Sequence, residues 1–139
     1  MSVHHHDLRV PTGGEGEMHD LTEQVAELVS LSTVSNGAVV VFVPGSTAGV
    51  TTIEYEPGLL EDFPALMERL APRKLTYAHD QRWHDGNGHA HVRASLLGPS
   101  LTVPIVNGEM ALGTWQQIAL VDFDNRARER RVLVTILGE

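Results

Sequence analysis

The sequence has no cysteine, so neither disulfides nor thiolate metal sites are available to it. Basic residues are few, 10 Lys and Arg against 18 Asp and Glu, for a net charge of −8. That balance lacks the positive surface that general nucleic-acid binding needs. No apolar run approaches the roughly 18 residues of a membrane span, so no membrane partner is expected. The opening Met-Ser-Val-His-His-His-Asp has no apolar signal core. With the missing disulfides, this points to a cytoplasmic setting. Internal repeats and low-complexity tracts are also missing.

What is present is ordinary globular material. The 139 residues, 42% of them hydrophobic, suit a single domain over 1–139. A chain of this length buries roughly two-thirds of its unfolded surface. Residues 1–7 are expected to form a flexible N-terminal segment, and His4 to His6 are set aside from any site. The charge is uneven: residues 1–68 hold 11 acids and one base, residues 69–139 hold 7 acids and 9 bases. Solvated surfaces are the plain reading, and complementary subunit faces the sharper one.

The pattern predicts a strand at Leu8 to Thr12, a turn through Gly13, Gly14 and Gly16, and a helix opened by Asp20 with Glu23 three residues on. Leu21, Val25, Leu28 and Val29 follow at helical spacing, and Asn36-Gly37 stops the run. Ala38 to Val43 reads as a strand buried on both faces, with Val50 to Tyr55 as its partner. Leu59 to Leu70 predicts a second helix, begun or kinked at Pro64, with Leu59, Phe63, Leu66, Met67 and Leu70 on one side. Asn87 to Leu97 fits either a strand or a short third helix. Asn87 as a cap and Gly98-Pro99 as a stop favour the helix. The rest reads as β: Leu101 to Val106 with an edge or bulge at Pro104, a hairpin turn at Asn107-Gly108, then Met110 to Leu112, Gln116 to Phe123 and Arg130 to Leu137. Arg126, Arg128, Arg130 and Arg131 cluster at the last turn, as a charged hairpin guarding an edge or, less simply, a phosphate contact. The order is that of an α+β fold, mostly antiparallel.

Four of the eight histidines, His79, His84, His89 and His91, share a short window with Asp80, Asp85 and two glycines. Imidazole is the commonest metal ligand. Catalytic zinc commonly takes three protein ligands and keeps one position open. His79 and His91 flank a glycine-containing loop that could fold back and bring them together. Their spacing matches no short zinc motif, and solvated loop histidines are the plain alternative. In a helix His89 and His91 diverge by roughly 200°, whereas His91 and Ser95 share a side in a helix or a strand.

Three further stretches carry polar chemistry. Pro44 to Thr52 is a Gly/Ser/Thr loop whose N–H and hydroxyl groups, Ser46 and Thr47 among them, can face an anion. It lacks the Gly-Lys-Ser/Thr of a P-loop. Glu54 follows it and can serve as a general base, though a solvent-facing strand residue is the default. Trp115 can stack on a flat ligand, meet another subunit or pack in the core, and Gln116 beside it can hydrogen-bond a ligand.

Several of these stretches together resemble the YjbQ family, also called UPF0047. They are His19-Asp20-Leu21-Thr22, Ser46-Thr47-Ala48-Gly49-Val50-Thr51, His89-Ala90-His91, Ala94-Ser95-Leu96-Leu97-Gly98-Pro99-Ser100, Val103-Pro104, Asn107-Gly108, Leu112-Gly113-Thr114-Trp115-Gln116 and Ile136-Leu137-Gly138-Glu139. The resemblance runs from about Leu8 to the end. It implies an α+β sandwich assembled as a homotrimer, with sites near subunit contacts. It also implies a secondary thiamine-phosphate synthase activity, which joins a pyrimidine diphosphate to a thiazole phosphate. On this likeness His79 and His91 are metal ligands for a divalent ion such as zinc or magnesium, and Glu54 and His91 are catalytic. Thr47, Asn87 and Ser95 match polar positions of the family, and with Ser46, Trp115 and Gln116 they are the candidate contacts to a phosphorylated substrate. The family usually places a histidine directly before its Ser/Thr-Thr-Ala loop, where this chain has Gly45. One ligand is thereby missing, with His84 or His89 as its candidate replacement. A non-catalytic binding trimer with a degraded metal site is the alternative that Gly45 raises.

Overall fold

Period-two alternation of valines builds the larger of two sheets. The computed structural model describes residues 1–139. In it β1 (Ser2–Thr12), β8 (Arg128–Gly138), β3 (Asn36–Phe42), β5 (Ser100–Val106) and β6 (Glu109–Met110) lie side by side in that order. A second sheet is made of β2 (Glu17–Asp20), β7 (Gln117–Asp122) and β4 (Ala48–Ile53), with β7 in the centre. Every ladder is antiparallel. The four helices are α1 (Thr22–Ser32), α2 (Pro57–Leu70), α3 (Ala78–Trp83) and α4 (Gly88–Leu97). None is long and apolar enough to cross a membrane. The fold is α+β, with antiparallel sheets sandwiching the core.

The main core lies between the sheets and is closed by α1. It takes Val39 and Val41 from β3, Val132, Val134 and Ile136 from β8, Val50 from β4, Ile118 and Leu120 from β7, and Val25 and Val29 from α1. The other face of the small sheet carries a second cluster, in which Val121 and Phe123 meet Met67 of α2 and Ala90 and Ala94 of α4. Strand β7 is therefore buried on both faces, and α2 and α4 form an outer layer over it. Gly49 lets α4 settle on β4, because a Cβ there would lie 2.8 Å from the Gly98 carbonyl oxygen and 2.9 Å from the Leu97 side chain. This docking fixes where the first turn of α4, with His91, stands relative to the loop before β4.

Several expectations change. The first strand begins at Ser2, and residues 2–7, expected as a flexible segment, pair with β8 from Ser2↔Gly138 onward. Backbone pairing needs no apolar side chains, so the three histidines did not signal it. Strands β3 and β4 are not partners: β3 pairs with β5 and β8, and β4 with β7. Nor is β3 buried on both faces. Val39 and Val41 are fully buried while Val40 is half-buried and Phe42 exposed, because no layer of the protomer covers the outside of the large sheet. Residues 17–20 are a strand before α1, and Asp20 accepts from the Thr22 N–H at the helix entrance. Helix α2 starts at Pro57 and runs through Pro64, with Glu56 accepting from the Gly58 and Leu59 N–H groups. Of its expected apolar side, Phe63 and Met67 join the second cluster and Leu59 is half-buried, while Leu66 and Leu70 are exposed. Helix α3 is an element the pattern did not announce. The Asn107-Gly108 turn forms as expected, joining β5 to β6 with both residues at positive φ.

The arginine cluster also differs. Strand β8 lies between β1 and β3, so there is no edge to guard. Arg130 instead enters the interior: its Nε donates to Asp122 Oδ2 at 2.7 Å, and Nη2 donates to Asp122 Oδ1 at 2.8 Å and to Thr47 Oγ1 at 2.6 Å. Thr12 Oγ1 donates to Asp122, and Thr47 Oγ1 and Arg128 Nε donate to Asp124. Both aspartates are fully buried. Burial raises the Asp122 carboxyl, but Arg130, Thr12 and the Asp124 amide outweigh it and hold it below the usual range. Asp124 is likewise raised by burial and lowered further by Thr47, Asn87 and Arg128.

Removing one partner of a buried ion pair strands the other charge, so Arg130→Met is expected to cost about 3–5 kcal/mol in denaturant unfolding. Carboxyls with depressed folded-state pKa values stabilise the protein above their unfolded value of about 3.9, and that stability drains as pH falls through the folded pKa. Acid unfolding of the parent protein should therefore set in below about pH 4, and a midpoint near neutrality would contradict this account.

Candidate metal and ligand site

Helix α3, a tight turn and the first turn of α4 bring three ligand-type side chains together. His84 ends α3 in the left-handed conformation and Gly86 continues the reversal at φ 67°. The chain thus folds back within a few residues, and His79 on α3 meets His91 on α4 with ring centroids 4.2 Å apart and planes inclined by 41°. Asp85, from the turn itself, places Oδ1 3.4 Å from His79 Nδ1. One ligand atom from each of His79, Asp85 and His91 lies within 4.8 Å of the others. Bonds of about 2.1 Å to one tetrahedral ion put neighbouring ligand atoms about 3.4 Å apart, the separation at which His79 Nδ1 and Asp85 Oδ1 already stand. His79 Nδ1 is buried without a hydrogen-bond partner, as a nitrogen reserved for a ligand would be. Two imidazoles and a carboxylate fit zinc.

The predicted residues divide between two ends of the small sheet. Near His91 the cleft is lined by Gly45, Ser46, Ala48 and Ser95, with a volume of about 200 Å³. Ser46 is exposed there, and Ser95 Oγ donates to the His91 carbonyl at 2.8 Å. Thr47 and Asn87 lie beneath the site as supports. The Thr47 hydroxyl is committed to Asp124 and Arg130. Asn87 makes no helix cap; its Oδ1 accepts from the Asn125 N–H at 3.0 Å and ties α4 to the β7–β8 turn. Glu54 lies just past the far end of β4, about 20 Å from Ala48 at strand rise. Trp115 and Gln116 sit at that same far end, next to the Ile53↔Gln117 pair. Trp115 is 69% exposed, and Gln116 lines a groove with Thr51, Thr52 and Leu112.

Neither candidate replacement ligand joins the cluster. His84 is exposed at the end of α3. His89 is buried on another face of α4 with both ring nitrogens unpartnered, and burial, with Arg93 and Arg73, pushes its imidazole down. The third ligand-type side chain of the group is Asp85. It was visible in the histidine window but had no spacing signal, because a helix and a turn set its approach. Gly45 borders the cleft at φ 152°, and a Cβ there would lie 2.9 Å from Arg130 Nη1. The arginine that neutralises the buried aspartates thus crowds the position where a family histidine would stand.

The profile of the YjbQ family, described as UPF0047 protein YjbQ-like, matches residues 6–139. The chain belongs to the YjbQ family. A UPF0047 protein of Archaeoglobus fulgidus is 41% identical over 131 residues, covering 94% of this chain and 99% of its own. A second, from Methanothermobacter thermautotrophicus, is 37% identical over 139 residues, covering 100% and 95%. A crystal structure described as a YbjQ-like protein of unknown function from Sulfolobus solfataricus superposes with a TM-score of 0.94 at 36% identity, covering 99% of each chain. A hypothetical protein from Aeropyrum pernix gives 0.90 at 36% identity, covering 98% and 99%. The YjbQ fold is therefore shared over the whole chain.

Titration with zinc should show one site per chain, weakened by more than about 100-fold in Asp85→Ala and His91→Ala, beyond the usual outer-shell loss. His84→Ala should bind as the parent does. Equal affinity in Asp85→Ala would remove that carboxylate from the site. Gly45→His, strained in backbone and facing Arg130, is expected to lower stability by about 1–3 kcal/mol in thermal or denaturant melts.

Proposed function

We propose that this chain is a metal-assisted transferase for phosphorylated heterocycles, of the thiamine-phosphate synthase kind. The observation that carries the reading is the convergence of His79, Asp85 and His91 beside a cleft bordered by Ser46 and Ser95. In the reaction, a thiazole ring nitrogen attacks the methylene carbon of the pyrimidine diphosphate. The carbon–oxygen bond breaks, and pyrophosphate leaves with the bonding electrons. A divalent ion such as zinc or magnesium, when bound, supplies positive charge against the leaving phosphate. The protein's own residues position and hold. His79 and His91 hold their tilted rings against each other, Ser46 offers its exposed hydroxyl and N–H to a phosphate oxygen, and Ser95 braces the first turn of α4.

Assembly is part of the same reading. Glu54, Trp115 and Gln116 lie too far along the small sheet to reach the cleft of their own protomer. The outer face of the large sheet presents Val3, Phe42 and Val106, which are exposed. A homotrimer that buries this face and sets the Glu54 end of one copy over the histidine cleft of another would complete the site, with the Glu54 carboxylate balancing the positive charge that the thiazole nitrogen gains and Trp115 stacking on the heterocycle. The setting is cytoplasmic, with neither nucleic acid nor membrane as a partner.

Gly45 favours a second reading, a trimer that binds a small phosphorylated molecule or anion without turning it over. Purified protein supplied with zinc or magnesium, the pyrimidine diphosphate and the thiazole phosphate should release pyrophosphate and form thiamine phosphate. His91→Ala should slow this by roughly 100-fold or more. Saturable binding with no product would establish the second reading, and neither binding nor product would remove both.

A further inference from the structure

Behind the small sheet, α2, α4 and the β1–β2 turn enclose a cleft of about 350 Å³ that shares no lining residue with the histidine site. Its apolar wall comes from the second core cluster: Phe63 and Phe123, with ring centroids 6.5 Å apart and planes inclined by 39°, and Met67 beside them. Three cations stand around that wall, Arg73, Lys74 and Arg93, against two carboxylates, Glu15 and Glu68.

The pairing inside the cleft decides which charge it seeks. Arg93 is buried; its Nε donates to the Ala71 carbonyl at 3.0 Å and its Nη2 to Glu68 Oε2 at 2.7 Å. The other Glu68 oxygen accepts from the Arg73 N–H at 3.2 Å. Those contacts, the Arg73 amide first and Arg93 next, hold Glu68 below the usual carboxylate range. Arg73 pairs with the Glu15 carboxylate and donates to its carbonyl, bridging the loop after α2 to the β1–β2 turn. Both carboxylates are therefore already neutralised, while the Lys74 ammonium forms no ion pair and Arg73 stands at the rim. The uncompensated charge is positive and adjoins an aromatic wall. One turn before Arg93 on α4, His89 is buried with both ring nitrogens unpartnered, so this side of the helix also holds unspent hydrogen-bonding capacity. The volume is that of a small-molecule pocket.

We propose that this cleft is a second ligand site, separate from the histidine cluster, for a small molecule with a flat apolar ring and one acidic group. The ring lies against Phe63, Met67 and Phe123, and the acid meets Lys74 and Arg73. Helical geometry keeps the two sites apart: Arg93 and His91 lie roughly 200° from each other around α4, so a ligand here does not touch the metal ligands.

The test uses 1-naphthoate as the probe, titrated by calorimetry into protein stripped with EDTA. Acetate supplies the acid without a ring, and 1-naphthalenemethanol the ring without an acid. Saturable binding of one naphthoate per chain is expected. It should be unchanged in His91→Ala and weaker by about tenfold or more in Arg73→Ala/Lys74→Ala, the loss of charge-assisted hydrogen bonds. Acetate should bind barely, and the alcohol about tenfold more weakly than the acid. Arg73 and Glu15 are exposed, so the double variant should keep its fold; Lys74→Glu alone tests the same sign without touching the bridge. Parent affinity in both variants, loss of binding in His91→Ala, or equal binding of the alcohol would each overturn the proposal. The zinc titration reads the other cluster independently, so failure of one site leaves the other standing.

Discussion

Arg130 carries a full positive charge into an interior that would otherwise hold two uncompensated carboxylates. Asp122 continues the series of Ile118 and Leu120 along the core-facing side of β7, and Asp124 follows two residues on, just past the strand, so both point inward whatever their chemistry. Thr12, Thr47 and Arg128 supply the remaining hydrogen bonds. The group ties the end of β1, the loop before β4, the end of β7 and the start of β8 into one corner. A buried charge without such partners would cost several kcal/mol, so these four segments have to meet there. The histidine cleft lies on the far side of that corner.

This explains why Thr47 and Asn87 support the cleft instead of lining it. Thr47 spends its hydroxyl on the aspartate and arginine below it, which leaves Ser46 facing outward. Asn87 fixes the start of α4 to the turn beyond Asp124, and His91 follows one turn later. The same arginine stands under Gly45. Holding the corner together and keeping a bulky side chain out of position 45 are therefore one constraint. If the histidines hold a metal ion as proposed, a third donor has to come from elsewhere, and the short turn between α3 and α4 offers Asp85. A carboxylate in place of an imidazole changes the charge of the donor set and so its preference among ions.

The two ends of the small sheet set the question of assembly. A strand of six residues separates Ser46 and His91 from Glu54, Trp115 and Gln116, and no side chain spans that distance. The large sheet has an outer face with apolar side chains and no covering layer. Both facts concern surfaces rather than cores, and both are what the proposed trimer would account for. The cleft behind the small sheet is different in kind, since its walls all come from one protomer.

Sequence alone determined the kinship, the α+β class, the α4 helix and the Asn107-Gly108 hairpin, and it raised the meeting of His79 with His91 that the structure then shows. Each rests on local chemistry: ordered motifs, turn residues that tolerate positive φ, or a glycine loop between two imidazoles. Tertiary structure alone decided which strands pair, since β3 and β4 are adjacent in the chain and both rich in β-branched residues, yet join different sheets. It also decided that Arg130 goes inside while Arg131 stays out, because residues in alternate register on β8 look identical as letters. And it chose Asp85 over His84 and His89, because the direction of a side chain is set by the helix or turn that carries it, which composition and spacing do not encode.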